Sequence, residues 1–284
     1  MSAPVGALSL EHVRALRDRR ARERTGTFFV DGVRFLVAAV DAGATIDGIV
    51  VAPKMLKSAI GQMLARRLRA RGVPELRVDP ATYASLSTSH EPQGVGAIVK
   101  QAWVDLDSLA AEHGACWLAI EDVRSPGNLG TLLRTSEAAG ASGLIALGRN
   151  VDPHDPGSLR ATMGAIFTRR LARASPESLA AWARRHHVLV VGASGDAPLD
   201  YRQVSYSRPV VLLLGAERKG LSPASRRACS VTVRIPMVGR TDSLNLAVAG
   251  SVLLYEVWNQ RHPVPLVGFA RTSTNAGTTT GQSR

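Results

Sequence analysis

Three short segments carry side chains able to grip an anion or a ribose, and each follows an apolar run. The first reads Glu121-Asp122-Val123-Arg124-Ser125-Pro126-Gly127-Asn128-Leu129-Gly130, with Arg134 six residues beyond Asn128. An arginine at that place can fork onto a phosphate or ribose oxygen. Asn128 can cap a helix or face a ligand. The second, Leu212-Leu213-Leu214-Gly215-Ala216-Glu217-Arg218-Lys219-Gly220-Leu221-Ser222, sets Glu217 between two glycines. Glycine lets a backbone approach a ligand closely, although an ordinary strand-to-helix turn would read the same way. The third runs Ile235-Pro236-Met237-Val238-Gly239-Arg240-Thr241-Asp242-Ser243-Leu244-Asn245. Pro236 and Gly239 fix a loop there, and Asp242 or Ser243 can cap the helix that follows. Ser243 and Asn245 are a poor opening for a merely structural apolar helix.

Other chemistries find no motif. Gly94-Val95-Gly96 has Val99 where a dinucleotide fingerprint needs its third glycine. Gly215 to Gly220 has phosphate-loop spacing, but Leu221 stands where the lysine belongs. HExxH is absent, and His186-His187 sits among arginines as a solvated helix end. No ATP, NAD or metal site is expected. Two cysteines, Cys116 and Cys229, cannot build a disulfide framework or a zinc site alone, which fits a reducing cytoplasm.

The elements that must position these residues follow from periodicity. Trp117–Ile120, Leu144–Leu147, Val188–Ala193, Val210–Leu214 and Val231–Ile235 are continuous apolar runs of strand length, as in a parallel sheet covered on both faces. Helices are expected at Leu129–Ala139, Ser158–Ile166, Ser178–His186, Pro223–Ala228 and Leu244–Gln260. The three polar segments then lie at strand exits, where an open α/β sheet holds its ligand. Upstream, residues 8–100 alternate short strands (Phe28–Val30, Ile49–Val51, Leu76–Val78, Gly94–Val99) with helices at Arg34–Ala42 and Leu56–Arg71. That pattern predicts a small separate α/β domain. It opens with one dense arginine helix holding Arg14, Arg17, Arg20, Arg22 and Arg24. Residues 101–115 read as a linker with a connecting helix, 116–262 as the larger α/β domain, and 263–284 as a polar, disordered tail.

The 284 residues carry 35 basic and 23 acidic side chains, a formal charge of +12. An excess of that size points to a polyanion, nucleic acid first. All but four of the cations are arginines, which a GC-rich genome would also favour. Residues 1–100 hold 15 cations against 9 anions and are the more basic part per residue, as a substrate-gripping module would be. No secretory signal or membrane-length apolar run is visible.

Together the segments resemble the SpoU/TrmH family of the SPOUT superfamily, RNA ribose 2′-O-methyltransferases that use S-adenosylmethionine. The family pattern is matched by Pro126, Asn128, Gly130 and Arg134, then Leu213, Gly215, Glu217 and Gly220, then Ile235, Pro236, Met237, Ser243, Leu244 and Asn245. Residues 8–100 also look like a substrate-binding domain found in many members, with Asp31 where glutamate is frequent. The resemblance implies a trefoil knot in the C-terminal domain, a homodimer, and a catalytic set of Asn128, Arg134, Glu217, Ser243 and Asn245. It implies a cofactor site built from Ala193, Ser194, Gly195, Leu214, Gly215, Glu217, Ile235, Met237, Ser243, Leu244 and Asn245. Arg14, Arg17, Arg20, Arg22, Arg24, Arg124 and Arg134 would meet RNA. Ribosomal RNA of the 23S type is the favoured substrate, with protection against a ribosome-targeting antibiotic as one outcome. Transfer RNA methylation and a catalytically silent RNA-binding relative are the alternatives.

Overall fold

Two sheets organise the chain, which the computed structural model describes over residues 8–109 and 111–264. The first sheet is built from β1 (Thr27–Asp31), β2 (Ile46–Val51), β3 (Glu75–Arg77) and β4 (Val95–Lys100) in the order β1-β4-β2-β3. Strand β4 runs antiparallel to both neighbours, and β2 and β3 are parallel. Helices α1 (Leu10–Ala15), α2 (Arg19–Thr25), α3 (Val33–Asp41), α4 (Ala59–Ala70) and α5 (Pro80–Leu86) surround it.

The arginine-rich opening is two helices rather than the single one expected. Ser9 starts α1 by accepting the His12 amide at 3.1 Å. The Asp18 carboxylate then accepts the Arg20 and Ala21 amides at 2.7 and 3.2 Å and starts α2 afresh. The extended backbone of Asp18 turns the chain between them. Gly26, at φ 64°, closes α2 in the left-handed conformation that glycine adopts without penalty.

The second sheet has eight strands, all parallel, in the order β10-β12-β9-β11-β6-β7-β8-β5. They are β5 (Trp103–Val104), β6 (Cys116–Ile120), β7 (Gly143–Ala146), β8 (Arg170–Arg173), β9 (Leu189–Ala193), β10 (Leu199–Asp200), β11 (Val210–Leu214) and β12 (Val231–Arg234). Helices α6 (Pro126–Ala138), α7 (Pro156–Thr162), α8 (Pro176–Arg185), α9 (Pro223–Ala228) and α10 (Leu246–Arg261) cover it. Residues of the central β6 and β11 are buried on both faces, which is why they read as unbroken apolar runs.

Several expectations need correction. Residues 101–115 contain no α-helix among those described; Trp103 and Val104 pair with β8, and only a single 3-10 turn follows at Leu106–Ser108. The Arg173 guanidinium lies 4.1 Å from the centre of the Trp103 ring and helps hold that edge. The helix expected over Ser158–Ile166 stops at Thr162, because Met163 and Gly164 take φ of 54° and 102°. Asn245, not Asp242 or Ser243, caps α10: its side-chain oxygen accepts the Ala247 and Val248 amides at 2.9 and 3.3 Å. The disordered tail expected from residue 263 falls, from 265 onward, outside the described residues.

The two sheets meet through a buried junction. Arg22 is 2% exposed, and its Nη atoms donate to the Leu16 and Arg17 carbonyls and, at 2.5 Å, to the Asp152 carboxylate. His154, beside it, packs against Phe28 at 4.6 Å and Trp103 at 5.5 Å between ring centres. Burial drives the His154 pKa down to about 3, so the ring stays neutral. Both cysteines are free thiols; burial raises Cys116 to about 12 and Cys229 to about 11. Among the described residues no helix is long and apolar enough to cross a membrane.

Candidate active site

Because the strands are parallel, the loops after β6, β9, β11 and β12 all emerge at one edge of the sheet. Each predicted segment is one of these loops. After β6, Ser125 caps α6 by accepting the Asn128 amide, which frees the Asn128 side chain from capping. After β11, Ala216 and Gly220 exchange two backbone hydrogen bonds of 2.9 Å and close the loop on itself. A Cβ at Gly215 would overlap the Gly220 backbone, so the closed loop requires glycine there. The Ser222 amide donates to the Glu121 carboxylate at 3.0 Å, tying this loop to the β6 exit.

A directed line of hydrogen bonds joins the three segments. Backbone amides at the start of α10 donate to Asn245 Oδ1, Asn245 Nδ2 donates to Asn128 Oδ1 at 3.2 Å, and Asn128 Nδ2 donates to Glu217 Oε1 at 2.6 Å. A carboxylate can only accept and an amide N–H can only donate, so both asparagines have one workable orientation. Residues 89 and 117 positions apart are thereby locked into one constellation.

Beside this line lies a cleft of about 390 Å3. Ala193, Ser194 and Gly195 bound it at the end of β9, Leu214, Gly215 and Glu217 at the end of β11, and Ile235, Met237, Ser243 and Leu244 beyond β12. Ten of the eleven residues expected at a cofactor therefore share one concavity. Asn245 does not line it; it caps α10 beside it and reaches Glu217 through Asn128. Ser243 borders the cleft without joining the hydrogen-bonded line.

Arg134 stands apart. It is exposed on α6, does not border the cleft, and makes no hydrogen bond or ion pair among the described residues. Arg14, Arg17, Arg20, Arg24 and Arg124 are exposed as expected of cations that meet a polyanion. Arg22 is not: buried at the junction and committed to Asp152, it is a structural arginine.

Two contributors carry no motif in the sequence. Glu121 orients the β11 loop through Ser222, and only its place at a strand exit hints at that. Arg226, on α9, reaches Ser194 Oγ at 3.0 Å and the Asp196 carboxylate at 3.1 Å, and so braces the β9 side of the cleft. Among the described residues no group of three His, Cys, Asp or Glu side chains could hold a metal ion.

Known proteins resemble the chain over most of its length. Residues 115–255 match the model of the SpoU rRNA Methylase family, and residues 9–97 match that of the MRM3-like substrate binding domain. The chain is 33% identical over 253 residues to the 23S rRNA (uridine(2479)-2′-O)-methyltransferase of Streptomyces viridochromogenes, covering 87% of each. Its structure is similar to an AdoMet-bound rRNA methyltransferase from Sinorhizobium meliloti, with TM-score 0.82, 35% identity, and coverage of 93% of this chain and 98% of that one. It is also similar to the SpoU methyltransferase AviRb from Streptomyces viridochromogenes in complex with AdoMet, with TM-score 0.79, 32% identity, and coverage of 89% and 97%. With both parts of the chain matched and the motif loops gathered at one sheet edge, this protein belongs to the SpoU rRNA methylase family.

Proposed function

We propose that the protein transfers a methyl group from S-adenosylmethionine to a ribose 2′-hydroxyl of 23S rRNA. The observation that carries this reading is the line Asn245–Asn128–Glu217, which binds the three motif loops into one site at the lip of the cleft. Relatives alike over nearly the whole chain are rRNA methyltransferases, two of them solved with AdoMet.

The cleft fits that cofactor. Its volume of about 390 Å3 is in the range of small-molecule sites, about 300–1,000 Å3. Leu214, Ile235 and Leu244 offer apolar walls to an adenine, and Gly195 and Gly215 leave backbone groups within reach of its edge. Glu217 offers a carboxylate to a positively charged ligand. When bound, the cofactor supplies a methyl group on a sulfonium, already a strong electrophile.

The chain's own residues must then align a weak nucleophile and ease the loss of its proton. Asn128, oriented by Asn245, holds Glu217 at the cleft so that the carboxylate keeps one position. Arg134 meets the reactive ribose or its 3′-phosphate. A guanidinium stays protonated, so it favours the developing alkoxide by its charge instead of taking the proton, which leaves to solvent. Ser243 lies where it can steady the ribose or the cofactor.

Arg134 lies outside its own cleft, which supports a homodimer in which Arg134 of the partner subunit completes the site. Val248, Tyr255 and Trp258 form an exposed stripe on α10, beside the Ser251–Thr135 hydrogen bond that joins α10 to α6. An apolar stripe at that place suits a subunit contact. The trefoil knot is part of the same reading: after β12 the chain returns to lay α10 across α6, where Gly250 meets Leu132 and Leu214. Residues 8–100 serve as the substrate-binding domain, residues 101–115 as the join to the catalytic domain over 116–262, and Arg14, Arg17, Arg20, Arg24 and Arg124 grip RNA in the cytoplasm.

Arg134→Ala tests the assignment. Methyl transfer should be abolished while cofactor affinity is kept, and mixed dimers of Arg134→Ala with Asn128→Ala should regain activity through one intact composite site. Retained turnover in Arg134→Ala would refute the role.

A further inference from the structure

A second concavity, also of about 390 Å3, opens between the α1–α2 turn and the N-terminal ends of α6 and α7. Val123, Pro126 and Leu129 give it an apolar wall, and Arg17, Arg124 and Asn150 stand around it. Ser158, Leu129 and Arg22 are its most deeply buried members, at 0%, 1% and 2% exposed.

Its acidic residues are already committed. Asp18 caps α2, Asp155 accepts the Gly157 amide at 2.8 Å, and Asp152 accepts from Arg22 and from the His154 amide. Arg19 is paired with Glu23 at 2.8 Å. Arg124 has no hydrogen-bond or ion-pair partner among the described residues, and Arg17 spends only one N–H, on the Ser85 carbonyl. The uncommitted charge of the groove is therefore positive.

Two buried polar atoms of this groove lack partners among the described residues: the Ser158 hydroxyl and Arg22 Nε. An unpaired buried hydroxyl is costly, and it is rare in folded proteins unless a ligand or water serves it. An apolar wall, an unpaired donor and acceptor in the depth, and free cations at the mouth are the complement of a nucleotide with its base turned inward. The wall residues Pro126 and Leu129 belong to the same helical turn that sends Asn128 to Glu217. One RNA strand can thus touch this groove and the catalytic cleft by following the start of α6.

We propose that this groove takes an unpaired nucleotide of the RNA substrate neighbouring the methylated one, with its base on the exposed Pro126 beside the buried Val123 and Leu129 and its phosphate on Arg124 and Arg17. The proposal rests on the RNA methylation reading. It makes Ser158, Asn150 and Arg124 positioning residues that select the strand without touching the reacting atoms. A hydroxyl can donate or accept, so Ser158 can pair with the polar edge of a base in either sense.

Asn150 is exposed, so Asn150→Trp can fill the groove without disturbing the core. Three readouts compare it with the wild-type protein: methyl transfer onto a 23S rRNA transcript, affinity for a short uridine-rich single-stranded RNA, and crosslinking of that RNA carrying a photoreactive uridine. Loss of a held base should raise KM for RNA about tenfold, with a smaller change in kcat and the same cofactor affinity. Arg124→Ala should lower the slope of log affinity against log salt by about 0.7, the share of one phosphate contact on a single strand. Crosslinks should fall on the peptides holding Val123 or Asn150. Unchanged KM and RNA affinity in Asn150→Trp, with crosslinks confined to other surfaces, would overturn the proposal. Crosslinking in the groove without any methyl transfer would keep the groove and remove the methyltransferase reading; methyl transfer indifferent to Asn150→Trp would do the reverse.

Discussion

Replacing Arg22 by alanine distinguishes a structural arginine from an RNA contact. The side chain is 2% exposed and reaches Leu16 O at 2.9 Å, Arg17 O at 2.8 Å and Asp152 Oδ2 at 2.5 Å. Removing it strips all three acceptors of a donor at once. Breaking a buried ion pair from one side costs about 3–5 kcal/mol, whereas an exposed pair contributes about 0.2–1 kcal/mol. Asp152 retains 19% of its side-chain exposure, so water offsets part of the loss. The expected cost is therefore near the lower bound, about 3 kcal/mol. In urea unfolding followed by tryptophan fluorescence, a slope of about 1–3 kcal/mol per molar turns that into a midpoint lower by about 1 M or more. Asp152→Asn added to Arg22→Ala should recover part of the loss, since it removes the stranded carboxylate. A midpoint that hardly moves, together with weaker RNA binding, would return Arg22 to the RNA-facing set.

Three further outcomes follow from the geometry. His154 has its pKa lowered by burial from 6.5 to about 3, so below pH 6.5 the unfolded chain takes a proton that the folded chain refuses. Stability should be fully present above that pH and fall by about 1 kcal/mol per unit down to pH 3, and His154→Phe should flatten the slope in pH-dependent urea melts. Asn128→Ala removes a hydrogen bond to a charged group worth about 1.5–3 kcal/mol, so kcat should drop about tenfold to a hundredfold; Asn128→Asp, which sets a second carboxylate against Glu217, should fall at least as far. Gly215→Ala forces the 215–220 loop open and should weaken S-adenosylmethionine binding in calorimetry while far-UV circular dichroism stays unchanged.

The motif loops were legible because the chemistry demands particular side chains at strand exits, and the strands before them are long apolar runs. Strands β6, β9 and β11 announced themselves in that way. Strand β8 did not: Arg170 and Arg173 bracket only Leu171 and Ala172, and the pairing with β5 and β7 makes it a strand. Helix α5 carried a readable signal in Asp79-Pro80, a cap followed by proline, and Asp79 does accept the Thr82 amide. The fate of Arg22 could not be read, since it depends on Asp152, 130 residues away, and on a junction between two sheets. The same holds for Asn128: sequence left it between capping and ligand contact, and the fold gave the cap to Ser125 and the asparagine to Glu217. Asn245 does both jobs, capping α10 with its oxygen and orienting Asn128 with its nitrogen.

Methyl transfer to a ribose of ribosomal RNA is measured most directly by offering 23S rRNA, 16S rRNA and tRNA in parallel with labelled S-adenosylmethionine. The modified position is then mapped by resistance of the adjoining phosphodiester to alkali. Label is expected in 23S rRNA at a single ribose 2′-oxygen, and is lost in Arg134→Ala. Label confined to tRNA, carried on a base, or absent despite bound cofactor would contradict rRNA ribose methylation.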